Sequence, residues 1–439
     1  MTKVITYGTF DLFHEGHYKL LERAKALGDY LIVGVTSDYF DKCRGKFNVH
    51  DSLMTRVKNV EKTGFADEII VEEYFGQKID DIKSYDVDIF TVGSDWIGFF
   101  DYLGEYCKVV YLERTKGISS TEIRNANNVK LGIIGNEDIV KRFVQELACV
   151  SSCELIGIYC NDEDKTILPN VTRFNYMDKL IENCDAVYVN LPLSERYAVI
   201  KNVLLSGKHV LTEFPFGDDL DKAKELIELA DSKNLVIMEG LKTAYCPAFN
   251  KLISIAKSGL VGNIINVEAK FTQILADDLD TQIKIAGGSV VSLGAYPLLA
   301  IFKLLGNDYT EVKFYSRIEN GVDTYSKIDF SFDGAIASGI VAINAKSEGD
   351  LVVTGTKGYI YVPAPWWKTE YFELRYEDIN KNSKYFYKFE GEGLRYGIVE
   401  FIKCIKDGKK NNMFLSKEDI LSEVAVLERY KNSTDVKYF

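Results

Sequence analysis

The chain has 439 residues, too many for one ordinary domain, so two or three are expected. Its 46% hydrophobic and 27% charged content is that of a soluble globular protein, and no stretch approaches the roughly 18 consecutive apolar residues of a membrane span. A formal net charge of −12 argues against a nucleic-acid partner, whose binding surface is normally basic, so any bound nucleotide should be small. Met1 leads straight into a strand pattern, without a charged segment and apolar core of the secretory kind, so neither secretion nor membrane insertion is expected and the location should be cytoplasmic. Cys43, Cys107, Cys149, Cys153, Cys160, Cys184, Cys246 and Cys404 are scattered without zinc spacing and read as reduced thiols.

The apolar run Val4-Ile5-Thr6-Tyr7 is followed by Gly8-Thr9-Phe10-Asp11-Leu12-Phe13-His14-Glu15-Gly16-His17. This places two of the chain's four histidines three positions apart on the first turn of a helix, where they share a face. They sit beside the free N–H groups and the positive end of the helix dipole, an arrangement that favours a phosphate and developing negative charge. Gly16 lets a ligand approach the backbone, and Thr9 and Asp11 add polar groups on the same loop. The pattern points to a nucleoside triphosphate.

Downstream, strand-like runs at 30–35, 68–71, 88–92 and 109–112 alternate with amphipathic stretches such as 18–27, the pattern of a parallel α/β sheet. Arg44-Gly45-Lys46 forms a basic loop. Ser119, Ser120 and Thr121 enter a helix at 122–124, where hydroxyls and free N–H groups can cradle phosphates. The polar stretch 125–128 reads as a linker. The alternation restarts with Val129-Lys130-Leu131-Gly132-Ile133-Ile134-Gly135 and continues at 155–159, 186–190, 209–212 and 235–238, a second doubly wound sheet. From about 264 the grammar becomes strand-rich (312–317, 325–332, 336–343, 358–362), with one helix at 288–305 and two near the C-terminus. The expected organisation is α/β: a Rossmann-like domain at 1–126, a dinucleotide-binding-like Rossmann domain at 129–245, and an α+β domain with a mostly antiparallel sheet at 246–439.

The opening motif, Leu20-Leu21-Glu22-Arg23-Ala24-Lys25, Gly93-Ser94-Asp95-Trp96 and Arg114-Thr115-Lys116-Gly117-Ile118-Ser119-Ser120-Thr121 together resemble the glycerol-3-phosphate cytidylyltransferases of the HxGH nucleotidyltransferase superfamily. The resemblance implies CTP, accompanied by Mg2+, and a polyol phosphate as substrates. It implies His14, His17 and Lys46 as catalytic residues. Gly8, Thr9, Phe10, Asp11, Gly16, Arg44, Asp95, Trp96, Arg114, Thr115, Ser119, Ser120 and Thr121 would hold the nucleotide. No carboxylate cluster declares a protein-held metal. One departure concerns the acceptor: where the family supplies an arginine before Asp67-Glu68, this chain has Gly64. Lys58 or Lys62 is the nearest substitute cation, without arginine's planar fork. Glycerol 3-phosphate is therefore the default acceptor among polyol phosphates.

Residues from 129 to about 435 resemble the NAD(P)-dependent glucose–fructose oxidoreductase and inositol dehydrogenase family, through the first strand and turn, Gly-Lys-His-Val-Leu-Thr-Glu-Phe-Pro at 207–215, Met238-Glu239-Gly240-Leu241 and Gly287 to Pro297. The resemblance implies NAD(P) held by Gly132, Gly135, Asn136, Asn190, Glu213 and Pro215. Two departures stand out. The turn reads Gly135-Asn136-Glu137-Asp138, with Glu137 in place of the middle glycine that lets the backbone reach a pyrophosphate. Its two carboxylates either face that anion, at a cost of about a few kcal/mol, or point outward and favour the helix start. The family's Glu-Lys-Pro is here Glu213-Phe214-Pro215, and phenylalanine transfers no proton. Ser292 and Tyr296 stand where the family often has an acidic residue and a histidine. Tyr296 is a known family variant able to donate a proton, and Lys242 is a second candidate donor.

Two functions follow. One is a CTP:polyol-phosphate cytidylyltransferase fused to a degenerate reductase-like body used for dimerisation, scaffolding or sensing. The other is a bifunctional enzyme whose rear module reduces a keto-sugar or triose phosphate to the polyol phosphate that the front module activates. The resemblance implies supply of a bacterial surface polymer such as teichoic acid or capsule, and a homo-oligomer.

Overall fold

The computed structural model describes residues 1–44, 46, 49–113, 128–135, 137–150, 152–160, 171–274, 287–387, 389, 391–434 and 436–439, with backbone alone at 137–139. The chain forms two compact units, one built on Met1–Asn128 and the other on Val129–Cys149 and Leu155–Phe439. Among the described residues no helix is long and apolar enough to cross a membrane.

The first unit is a five-stranded sheet of β1 (Lys3–Gly8), β2 (Tyr30–Thr36), β3 (Glu68–Glu72), β4 (Ile89–Gly93) and β5 (Lys108–Leu112), in the order β3-β2-β1-β4-β5. Every pairing is parallel. Helices α1 (Glu15–Lys25), α2 (Asp38–Cys43), α3 (Leu53–Glu61) and α4 (Gln77–Tyr85) connect the strands. Successive strand residues point to opposite faces, so β1 divides its apolar residues between two cores. Ile5 and Tyr7 pack with Ile32, Ile82 and Phe90, while Val4 packs with Leu21, Leu31, Val33 and Val60. Burial on both faces explains why these strands read as continuous apolar runs.

The second unit contains two sheets. Strands β6 (Val129–Gly135), β7 (Cys153–Tyr159), β8 (Ala186–Asn190), β9 (His209–Thr212) and β10 (Ile237–Glu239) lie in the order β10-β9-β8-β6-β7. They are joined by α5 (Glu137–Leu147), α6 (Met177–Asn183), α7 (Leu193–Leu205) and α8 (Leu220–Ser232). Gly132 on β6 leaves room for the Cys184 sulfur, which an added Cβ would meet at 2.5 Å. Short α9 (Lys242–Tyr245) and α10 (Pro247–Lys257) lead into a nine-stranded mixed sheet. Its elements are β11 (Ile264–Thr272), α11 (Ser289–Leu293), α12 (Ala295–Leu305), β12 (Glu311–Glu319), β13 (Val322–Phe332), β14 (Ala335–Ala342), β15 (Leu351–Gly355), β16 (Tyr359–Val362), β17 (Tyr371–Arg375), β18 (Ser383–Phe386), α13 (Leu394–Asp407), α14 (Lys417–Asn432) and β19 (Lys437–Tyr438). Only β11 with β14 and β12 with β19 pair parallel.

The single helix expected at 288–305 is broken at Gly294. Pro297 has no N–H to continue the ladder from residue 293, and a Cβ at Gly294 would lie 2.4 Å from the Val290 carbonyl oxygen. Strands β15, β17 and β18 were not anticipated as separate elements.

Polar contacts tie the two sheets of this unit together. Glu146 on α5 takes a forked pair of bonds from Arg395, both at 3.0 Å, and accepts from the Glu392 N–H at 3.1 Å. Beneath β10, Glu239 and Glu423 are both buried to 1% exposure. Oε1 of Glu239 accepts from the Phe216 N–H at 2.8 Å. Its Oε2 and both oxygens of Glu423 have no hydrogen-bond partner among the described residues. Burial pushes both carboxyls upward, and the charge of Glu239 adds to the rise at Glu423.

Candidate functional site

In the first unit the strand order reverses direction between β1 and β4, and open parallel sheets bind ligands at the carboxyl ends of strands beside such a point. The loop from Gly8 to His14 leaves β1 at this crevice, and Ser94–Trp96 leaves β4 as a 3-10 turn. Phe10 and Leu12 hold φ of 54° and 48°, conformations that L residues adopt at a cost and that cluster at functional loops. His14 is the N-cap of α1, and its Nδ1 accepts from the Gly16 N–H at 3.0 Å. A neutral imidazole accepting there carries its proton on Nε2, so the far side of the ring is a donor. A Cβ at Gly16 would lie 2.8 Å from the His14 ring, which makes glycine a requirement of the cap. His17 stacks on His14 with centroids 3.9 Å apart and an interplanar angle of 19°. The Phe10 and Phe13 rings, at 5.6 and 5.5 Å, hold it from two sides.

The other predicted residues divide into those at the crevice and those that build it. Thr9 donates to Asp41 at 2.9 Å. Asp11 is buried, and its Oδ1 accepts from the N–H groups of His50 and Asp51 at 3.0 and 2.8 Å. Gly8 lies against the Phe10 ring, 3.0 Å from where a Cβ would be. Arg44 lies 4.0 Å from Asp41 and 3.8 Å from Glu72, with its guanidinium over Phe40. The Lys46 N–H donates to the Asp41 carbonyl at 2.8 Å. Burial raises the Asp41 carboxyl, against the pull of Lys46 and Arg44. Asp95 and Trp96 are exposed at the mouth, Trp96 resting on Phe99 and Phe100. Arg114, Thr115, Ser119, Ser120 and Thr121 lie outside the described residues.

Sequence reasoning missed Arg56 on α3. It is fully buried and donates to the main-chain oxygens of Asp51 (3.0 Å), Thr9 (2.8 Å) and Thr36 (2.7 Å). It also pairs with Asp38 and lies 3.6 Å from Asp41. Gly64 sits in a left-handed turn (φ +69°) with nothing within 4 Å of an added Cβ, and Lys58 and Lys62 are exposed.

In the second unit the reversal falls between β6 and β8. Gly135 pairs with Asn190 there, and a Cβ on Gly135 would meet the Asn190 carbonyl at 2.6 Å. Asn136 and the side chains of Glu137 and Asp138 lie outside the described residues. From Asn190 a chain of contacts runs through the Tyr188 hydroxyl, at 3.2 Å, to Glu213. Arg196 is buried and donates to the carbonyls of Glu213 (2.9 Å) and Pro215, fixing the turn that carries Phe214. Burial raises the Glu213 carboxyl. Tyr296, on α12, packs edge-on to Phe271 at 4.9 Å, and burial, Glu213 and Cys246 all raise its hydroxyl. Lys242 begins α9, and burial followed by the charge of Lys368 lowers its ammonium. The Ser292 hydroxyl is turned back onto the Gly288 carbonyl at 2.6 Å. No group of three or more His, Cys, Asp or Glu side chains is placed to hold a metal ion among the described residues.

Residues 5–126 match the family described as cytidylyltransferase-like. Residues 129–241 match the oxidoreductase family with an NAD-binding Rossmann fold, and 249–361 the GFO/IDH/MocA C-terminal domain. The glycerol-3-phosphate cytidylyltransferase of Bacillus spizizenii is 55% identical over 124 residues, covering 28% of this chain and 95% of that protein. The trans-1,2-dihydrobenzene-1,2-diol dehydrogenase of Sus scrofa is 25% identical over 269 residues, covering 58% and 79%. A crystal structure of a 3-ketoreductase from Actinomadura kijaniata with NADP and TDP-benzene superposes with a TM-score of 0.64 at 21% identity, covering 71% of this chain and 100% of that one, a likeness of fold. With a stacked histidine pair at one reversal point and a Tyr188–Glu213 network at the other, the chain belongs to the cytidylyltransferase-like family through its first unit and joins to it the NAD-binding and C-terminal domains of the GFO/IDH/MocA oxidoreductases.

Proposed function

We propose that the first unit transfers the cytidylyl group of CTP to a polyol phosphate, with glycerol 3-phosphate as the default acceptor. The observation that carries this reading is the stacked His14–His17 pair at the start of α1, beside the sheet's reversal point. An oxygen of the acceptor phosphate attacks the α-phosphorus, the bond to the bridging oxygen breaks, and its electron pair leaves with pyrophosphate. Positioning and charge stabilisation dominate such a reaction. His14, with Nδ1 occupied by the Gly16 N–H, donates from Nε2 to the phosphate oxygens, and His17 donates beside it. Lys46 and Arg44 add positive charge at the same edge. The described residues hold no group of three or more His, Cys, Asp or Glu side chains for a resident metal, and Mg2+ would arrive with CTP, offsetting its triphosphate charge. His17→Ala should abolish pyrophosphate release from CTP plus glycerol, ribitol or glucitol phosphate, with mass spectrometry identifying the CDP adduct. Retained release would remove His17 from the mechanism. A CDP-polyol so made would serve a bacterial surface polymer such as teichoic acid or capsule.

For the second unit, the buried Tyr296, whose hydroxyl is raised by burial and then by the charge of Glu213, supports an active NAD(P)-dependent reductase of a keto-sugar, and the Actinomadura relative in fold is a 3-ketoreductase with bound NADP. The residues fit a dinucleotide: the absent side chain at Gly135 keeps β6 and β8 together, α5 begins at Glu137 with its free N–H groups, and Asn190 and Glu213 flank the crevice. Bound there, the cofactor supplies a hydride. Tyr296 retains its proton through burial and the Glu213 charge, and passes it to the substrate's carbonyl oxygen. Fluorescence titration with NADH and NADPH tests this. Absence of binding at millimolar cofactor would leave a scaffold, and the alternative reading would replace this one.

A further inference from the structure

Tyr188 is a fully buried tyrosine in the middle of β8, and its hydroxyl joins two residues at the dinucleotide crevice. It donates to Glu213, just past β9, and accepts from Nδ2 of Asn190 at 3.2 Å. Residues two apart on a strand share a face, so the hydroxyl reaches along β8 to the amide at its carboxyl end. The ring is held in place. It stacks on Phe143 of α5 with centroids 3.8 Å apart and planes 10° apart, and both rings are buried. Glu213 is fixed through its own main chain, where Arg196 donates to the carbonyl at 2.9 Å. Asn190 is packed against β6: a Cβ on Gly135 would lie 3.0 Å from the Asn190 Cβ and 2.6 Å from its main-chain oxygen.

These contacts dictate which end of the amide is left for a ligand. A tyrosine hydroxyl has one proton, and an ionised carboxylate can only accept. The proton therefore goes to Glu213, and the Tyr188 oxygen accepts from Asn190. An amide that spends Nδ2 in this way presents Oδ1 on its other side. Among the described residues nothing donates to Oδ1, although Asn190 is only 6% exposed. An acceptor so nearly removed from water is costly without a donor, and a ligand that supplies one recovers that cost.

We infer that Tyr188 is a positioning residue for the dinucleotide, holding the Asn190 amide so that Oδ1 accepts a hydrogen bond from the nicotinamide half. This rests on the reductase reading and deepens it by fixing the polarity of one cofactor contact. The sheet order assigns the half. In a doubly wound sheet the pyrophosphate sits at the turn after the first strand and the adenine ribose beyond the second, here β6 and β7. Asn190 ends β8, on the opposite side of β6 from β7. The donors of the nicotinamide half are its carboxamide N–H and its ribose hydroxyls.

The test is calorimetric titration of the full chain with NADPH, NADP+ and the 3-acetylpyridine analogue of NADP+, whose ketone lacks the carboxamide N–H. Tyr188→Phe keeps the ring and its stack, and should weaken NADPH binding about tenfold, as expected when one hydrogen bond is lost and its partner is left unpaired. Asn190→Ala should weaken it to the same extent. The double variant should bind no more weakly than Asn190→Ala alone, because Tyr188 acts through the amide. Losses that multiply in the double variant, or unchanged affinity in either single variant, overturn the inference. Should Tyr188→Phe fail to fold by circular dichroism, Asn190→Ala and the analogue decide. An analogue bound at least fivefold more weakly than NADP+ by the wild type, with the difference gone in Asn190→Ala, makes the carboxamide the donor. Equal binding of the two, both weakened in Asn190→Ala, makes it a ribose hydroxyl. A wild type that binds neither NADH nor NADPH at millimolar concentration refutes the reductase reading and this inference with it, whereas wild-type binding that both substitutions leave unchanged refutes the inference alone.

Discussion

Replacing Glu423 by glutamine should make the second unit more stable at pH 7.5 relative to pH 5.5. Glu423 feels the charges of Glu239 and Lys303 on neighbouring elements and of Asp419 one turn earlier on its own helix, and neither of its oxygens has a hydrogen-bond partner among the described residues. Burial raises its folded-state pKa well above that of the unfolded chain. The associated stability is complete below the unfolded value, near 4.5, and is lost as pH rises toward the folded value. Over pH 5.5 to 7.5 the unfolded chain has released this proton, while burial and the Glu239 charge favour its retention in the fold. Each pH unit lying between the two values costs about 1.4 kcal/mol, at most roughly 2.7 kcal/mol across the interval. Glutamine carries no such dependence. Its buried amide costs about 1–3 kcal/mol at both pH values, so the difference between the two pH values isolates the carboxyl. By calorimetry of the full chain, the variant's transition should gain on the wild type between pH 5.5 and 7.5, by up to about 5 °C. A gain under about 1 °C, or a loss, would show that the carboxyl is ionised in the fold, and the reasoning would be wrong.

Three further outcomes are expected. Gly16→Ala places a Cβ 2.8 Å from the His14 ring, so the cap bond is lost and kcat for CDP-polyol formation should fall about 100-fold, measured as pyrophosphate release. An unchanged kcat would show that the ring's position is unimportant. Arg56→Leu strips partners from three main-chain oxygens and two carboxylates, and should lower the first unit's stability by about 3–5 kcal/mol in urea unfolding. A change under 1 kcal/mol would mean that water replaces the guanidinium. Tyr296→Phe should remove NADPH-dependent ketone reduction while CDP-polyol formation continues. Retained reduction would transfer the proton-donor role elsewhere.

Much of the architecture was legible because parallel strands buried on both faces leave continuous apolar runs, as in Val4 to Tyr7 and Val129 to Gly135. The histidine pair was legible for a local reason: its spacing puts one histidine at the N-cap and the other in the first turn of α1, where the two rings stack. Strands β15, β17 and β18 were harder, because one sheet face is partly exposed and their apolar residues alternate, as in Tyr371–Arg375. The break at Gly294 was signalled by Pro297, a cue overridden by the strongly apolar run around it. Arg56 was invisible because its partners come from residues 9, 36, 38, 41 and 51, a set brought together only by the sheet. Lys242 was singled out from the sequence, yet the charges that act on it, Lys368 first and then Glu392, lie far along the chain and reach it only through tertiary contacts.

Arg56 has a consequence for how this crevice can change over time. Three of its contacts are main-chain oxygens, which every residue type possesses. Positions 36 and 51 therefore need no particular side chain to hold the guanidinium, and their side chains serve other contacts, Asp51 accepting from the Leu12 N–H and Thr36 donating to Glu72. A scaffold held in this way separates shape from chemistry. Residues facing the acceptor can be varied for a new polyol phosphate while the loop bearing the histidines keeps its form.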